Sequence, residues 1–294
     1  MSAGSHQTAL NIRWPKPHQL PGRIVHWVLC LLVLFVFLLP IWSMIATVFS
    51  GAQMRQGQMS LSIRDFTVDN IVQAWQYGVA RGFFNSMVVV VIGLALQMTV
   101  STLAAYALAR KRFRGAAIVT VLILATMMMP AEVISLPLYL VLGQIPAPTE
   151  SGSLLNSFGG LILPIVGWAM PIYIMTGFMK EIPKELEESA QIDGAGDLRV
   201  FFQVVLPLCR PALGTCAIFG FLMIWDQYLL PMLVARTPDM YTLTMIVTSL
   251  QSSDGLGTPV RLAAALMLMV PGVVVYLLLQ RFFERGLLSG SVKG

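Results

Sequence analysis

Residues Lys184–Pro207 read KELEESAQIDGAGDLRVFFQVVLP, the one long polar and acidic interruption in the second half of a very apolar chain. Five acids (Glu181, Glu185, Glu187, Glu188 and Asp193) fall within thirteen positions that hold one base, Lys184. Pro183 suits the first position of a helix, where its missing N–H costs nothing. Lys184 to Gln191 are good helix formers. Ile182, Leu186, Ser189 and Ala190 recur at three- and four-residue spacing, which predicts one face of small and apolar side chains. Gly194 permits a turn that a Cβ would resist. Val200, Phe201, Val204 and Val205 then make a second apolar stripe, and Pro207 ends it. The segment reads as helix, glycine turn and helix. From these residues two readings stand: a docking surface for a partner with basic groups, or a solvated acidic loop.

The flanking sequence sets the environment. Of 294 residues, 56% are hydrophobic and 11% charged, against about 25% charged in a soluble domain. This is the composition of an integral membrane protein, and the net charge of +5 gives no sign of a nucleic-acid partner. A span needs about 20 mostly apolar residues. Six are expected, near 27–49, 85–108, 116–142, 158–179, 208–234 and 262–283, which makes the fold an all-α integral membrane protein. The first apolar run exceeds the h-region of a signal peptide and reads as an uncleaved anchor. Pro130 and Pro137 predict a kink in the third span. The outer connection after the first span contains SIRDFTVDNIVQAW (62–75), where Phe66, Ile71, Val72 and Trp75 predict a short amphipathic helix on the bilayer.

Six spans put both termini on one side. On that face, with the Lys184–Pro207 segment, lie 14 of the 19 Lys and Arg residues. The excess predicts that this face is cytoplasmic. The expected organisation is a cytoplasmic tail over 1–24, a transmembrane domain over 25–285 with the polar segment at 181–207, and a cytoplasmic tail over 286–294.

Cys30, Cys209 and Cys216 form no CxxC pair and read as small buried hydrophobes, and the three histidines (His6, His18, His26) all lie near the amino terminus. No metal site is expected. None of the five lysines follows a glycine, so a Walker A phosphate loop is absent, as are HExxH and GxSxG. The chain is not expected to be an enzyme. Two intramembrane acids, Glu132 and Asp226, are candidates for function because charge in a bilayer is costly. Asp226 sits among Trp225, Gln227 and Tyr228, a set that offers a sugar both aromatic faces and hydrogen-bonding groups. The same residues also suit a hydrogen bond between helices. Neighbours diverge by about 100° around a helix, so two or three of them at most line one path.

The polar segment resembles the EAA loop of bacterial ABC importer permeases. Glu188, Ser189 and Ala190 match Glu-Ala-Ala with serine at the middle position. Asp193, Gly194 and Ala195 match Asp-Gly-Ala, and Phe201 or Phe202 with Leu206 and Pro207 complete the pattern. Trp225–Pro231 (WDQYLLP) resembles the W-N-x-(F/Y)-L-x-P of the carbohydrate and glycerol-phosphate uptake subfamily, with Asp226 in place of the usual asparagine. Met129–Val133 (MPAEV) and the tail GLLSGSVKG (286–294) are also similar to that subfamily. The resemblance implies a type I ABC importer-like permease of the bacterial inner membrane. It implies a coupling helix that docks on an ATPase through Glu187, Glu188, Ser189, Ala190, Asp193, Gly194 and Ala195. Implied partners are a second permease, two ATPase subunits that bind ATP and Mg, and an extracytoplasmic binding protein; the chain itself needs no cofactor. Trp225, Asp226, Gln227, Tyr228 and Glu132 become candidates for a path that carries a di- or oligosaccharide, with glycerol-3-phosphate or its diesters as the alternative. An ion-coupled carrier using Asp226 and Glu132 is the reading from a different class. No inverted repeat supports it.

Overall fold

The computed structural model describes residues 20–51, 58–253 and 255–291. Most of the amino-terminal tail, Arg55 in the outer connection and Lys293 lie outside them. Among the described residues all regular structure is helical, apart from two isolated bridges, Ser50 with Phe66 and Pro146 with Ser153. In chain order the helices are α1 (Leu20–Val48), α2 (Asp69–Ala74), α3 (Ala80–Arg110), α4 (Ala116–Met127), α5 (Ala131–Gln144), α6 (Phe158–Val166), α7 (Ala169–Glu181), α8 (Glu185–Ile192), α9 (Asp197–Leu208), α10 (Arg210–Trp225), α11 (Leu229–Val234), α12 (Leu243–Gln251) and α13 (Thr258–Ser291).

Four helical stretches are long and apolar enough to cross a membrane, and the count reaches six if each of two bent pairs is one span. The first bent pair is α4 and α5, turned by 108° across Met128–Pro130. Pro130 has the extended backbone that starts a new helix, so the expected kink is a full break. The second bent pair is α9 and α10, turned by 76° after Pro207. A third break, between α6 and α7 at Gly167 and Trp168, was not anticipated from the residues. The predicted amphipathic helix is only α2. It is followed by a wide turn over Trp75–Val79, with Gly78 at φ +97°, that leads into α3. Phe66 stands outside this helix and stacks on Phe49, ring centroids 5.6 Å apart.

Packing is organised around α3, which meets α6, α7 and α10, while α10 lies along α13. Two separate apolar clusters result. The larger joins residues such as Val89, Leu161, Ile165, Phe221, Trp225, Leu243 and Ala263. The smaller joins Tyr106, Met175, Met179, Ile182, Val200, Phe201, Val205 and Cys216, and so gathers the ends of α3 and α7, the start of α10 and both arms of the polar segment. Polar side chains bury themselves where helices are broken. Gln97 on α3 donates from Nε2 to the Ile165 carbonyl at 3.0 Å, adding a side-chain hydrogen bond at the broken end of α6. On α3, Asn85 donates to the Asp239 and Tyr241 carbonyls (2.7 and 2.9 Å), and Ser86 Oγ accepts from the Leu243 N–H at the start of α12.

Candidate functional site: a surface hairpin and a cavity at three helix breaks

The polar segment folds as a hairpin of α8 and α9. The turn closes α8 with paired hydrogen bonds, Gly194 N–H to the Gln191 carbonyl and Ala195 N–H to the Ala190 carbonyl, both at 3.0 Å. With Gly194 at φ +83°, this is the Schellman arrangement that ends many helices. A Cβ at Gly194 would meet nothing within 4 Å, so backbone conformation alone demands glycine there. Gly194→Val is expected to cost about 1–2 kcal/mol and to misdirect α9, whereas Gly194→Asn, which tolerates this φ, keeps most of the hairpin. Uptake assays on the two variants separate them, and equal uptake would remove the turn from the argument.

The inward face of the hairpin departs from expectation. Leu186 and Ser189, placed by periodicity on the packed face, are exposed, while Glu187 is buried beside Ile182 and Ala190. The physical reason is Arg110 at the end of α3. Its Nε and Glu187 Oε1 approach to 2.5 Å, and the two side chains are 5% and 10% exposed. The two groups form a close, buried charge pair. Arg110 also donates from Nη2 to the Ile182 carbonyl at 2.8 Å. A buried acid matched this closely by a cation behaves as a core residue, because removing either partner strands the other charge. Glu187 is thus turned into the chain against Arg110, whereas the resemblance implied it among the docking residues. The next residue, Lys111, reaches the other arm, with Nζ 2.6 Å from Asp197 Oδ2. The hydrogen bond to Asp197 is the chief cause holding the Lys111 ammonium above its ordinary pKa.

The outward face carries Glu185, Glu188 and Ser189 with Asp193 and Gly194 at the turn. Beside them stand exposed apolar side chains, Leu186, Ile192 (86% exposed), Leu198 (72%) and Phe202. Acids ringed by large exposed hydrophobes at the polar end of a membrane bundle form a patch suited to a protein partner. Ala190 and Ala195 are half-buried beneath it and pack on the inner cluster.

A cavity of about 520 Å³ opens in the bundle where three breaks meet. Thr126, Met127 and Met129 come from the α4 to α5 break, with Ser135 on α5. Gly167 and Trp168 come from the α6 to α7 break, and Gln227 from the α10 to α11 break. No charged side chain lines it among the described residues. The five path candidates do not assemble here. The helix ends at Trp225, so Asp226 and Gln227 lie in a non-helical step and only Gln227 faces the cavity. Trp225 is 2% exposed; it stacks on Phe221 at 5.6 Å and donates from Nε1 to the Leu268 carbonyl at 2.8 Å. It is a core residue that joins α10 to α13. Asp226, Tyr228 and Glu132 are exposed and do not line this cavity. Trp168 and Ser135 were missed in the sequence; the Gly-Trp step at 167–168 was the available signal.

The arrangement is that of a membrane transport subunit: a jointed helical bundle around a cavity, with a surface hairpin at one end. Residues 97–289 match the family described as binding-protein-dependent transport system inner membrane component, and the chain belongs to that family. It is similar to the diacetylchitobiose uptake system permease protein NgcG of Streptomyces coelicolor, 32% identical over 92% of this chain and 89% of the relative. It is similar to the arabinooligosaccharides transport system permease protein AraQ of Bacillus subtilis, 32% identical over 73% and 74% of the two chains. The sn-glycerol-3-phosphate transport system permease protein UgpE of Yersinia enterocolitica is 32% identical over 90% and 95%. A crystal structure of a bacterial ABC transporter that imports the acidic polysaccharide alginate matches with a TM-score of 0.78 at 23% identity, over 92% of this chain and 99% of that one. The fold is thus that of a type I ABC importer permease, and the chain is a transport subunit rather than an enzyme.

Proposed function

We propose that the chain lines, with a second and non-identical permease, the path by which an ATP-driven importer admits a neutral di- or oligosaccharide. The uncharged cavity at the three helix breaks carries this reading. Trp168 gives it an aromatic surface, and Thr126, Ser135 and Gln227 give it hydroxyl and amide groups, the mixture that a sugar's apolar faces and hydroxyls require. The names of the relatives in oligosaccharide uptake support it. Glycerol-3-phosphate is the second reading, favoured by the similarity to UgpE; a phosphate calls for cationic partners that this cavity lacks.

Energy enters at the hairpin. Two partner ATPases bind ATP and Mg, and their closure moves the surface around Glu188, Ser189, Asp193 and Gly194. The hairpin and both termini lie on the cytoplasmic side, in keeping with the Lys and Arg excess there. An extracytoplasmic binding protein delivers the substrate opposite. α1 is exposed along residues 25–42 and α4 buries no residue of its own, which leaves room for the second permease and for lipid. The test is ATPase stimulation of the reconstituted complex across neutral oligosaccharides, glycerol-3-phosphate and glycerophosphodiesters. Neutral oligosaccharides are expected to stimulate severalfold. Stimulation by the phosphate compounds alone overturns the choice.

A further inference from the structure

We propose that Arg110 and Lys111, consecutive at the end of α3, are positioning residues that clamp both arms of the hairpin and make it move as one body with α3. Arg110 holds the first arm through Glu187 and the Ile182 carbonyl. Lys111 holds the second through Asp197. Gly194, the turn between the arms, touches neither and has open space around it. The clamp closes over a packed base: Tyr106, one turn back on α3, lies 5.0 Å from the Phe201 ring of the second arm, and Lys111 Nζ sits 5.8 Å from the Tyr106 ring. A hairpin held only by its glycine turn and apolar stripe would slide when pushed at its outward face. Two ion pairs of fixed register, one on each side of the turn, resist that slip because sliding either arm separates opposite charges, strongly at the buried Arg110–Glu187 pair and more weakly at the exposed Lys111–Asp197 pair. α3 runs from this clamp past the Gln97 contact to the broken end of α6 beside the cavity, so motion at the hairpin has a continuous helix to follow.

The inference rests on the docking reading of the hairpin, and its failure is separable from the failure of that reading. Co-purification of the ATPase subunits reports docking, whereas uptake per ATP hydrolysed reports the clamp. In the reconstituted importer, Arg110→Gln and Glu187→Gln are each expected to keep the ATPases bound and hydrolysing within about twofold of the parent while uptake falls about tenfold. Arg110→Glu combined with Glu187→Arg is expected to recover uptake to within about threefold of the parent, a rescue that mere loss of stability would not give. Single variants that transport normally, uptake and hydrolysis that fall together, or a swap no better than its singles each overturn the clamp. Should the buried variants not accumulate in the membrane, the exposed pair decides. Lys111→Asp and Asp197→Lys are each expected to lower uptake per ATP about threefold, with recovery in the double variant; singles and double that match the parent overturn the proposal.

Discussion

Glu188→Lys is expected to lower uptake about a hundredfold while the chain stays in the membrane at its normal level. Glu188 and Glu187 are neighbours that point about 100° apart around α8, and the structure sends them to opposite fates. Glu187 is sealed against Arg110, whereas Glu188 is exposed one turn before the exposed Ile192. A lysine at 188 breaks nothing within the chain, so its effect falls on whatever meets that face. With the carboxylate reversed, a basic partner surface is repelled where it was attracted. The measurement is uptake together with the fraction of ATPase subunits that co-purify. Normal values for both would end the assignment of this face to docking.

Gly160→Ala is expected to cost about 3 kcal/mol and to deplete the chain from the membrane. A Cβ at this position would lie 2.2 Å from the Leu154 carbonyl oxygen and 3.0 Å from Val234 Cγ1. That carbonyl has no easy retreat. Ser157 donates to it at 2.7 Å, and the adjoining loop is fixed by the Asn156 N–H on the Val234 carbonyl at 2.8 Å. Asn156 Oδ1 in turn accepts from the Arg236 and Thr237 N–H groups. Gly177→Ala is the matched control: nothing lies within 4 Å of its added methyl, so only helix propensity changes, by about 0.5–1 kcal/mol in the favourable direction. Thermal unfolding of the solubilised chain compares the two, and equal melting would show that the loop yields.

What could be read from the residues alone divides along a physical line. Apolar length marked the stretches able to cross a membrane, four of them or up to six with the bent pairs, and polarity marked the hairpin, because those are properties of composition summed over many residues. The breaks at Pro130 and after Pro207 were legible because proline acts locally. The inward turn of Glu187 was not, since hydrophobic periodicity ranks an acid as outward. Its burial depends on Arg110, distant in sequence, which read only as one more positive charge. Trp225 failed for the converse reason. Its motif drew attention to recognition, whereas its indole N–H found a carbonyl on α13 and its ring found Phe221. Gln97 and Asn85 are single polar residues in an apolar run, and their roles appear only once the helix ends they serve are in place.

The three interruptions at 128–130, 167–168 and 226–228 all border one cavity, and a compact cluster of side chains holds the polar end of the bundle beyond them. A straight bundle passes a push along its length only by tilting every rod together. Here the rods are articulated where the space lies. If the hairpin is where the ATPases push, as proposed, the chain has its stiffness at the end that receives the push and its joints around the space that would change shape.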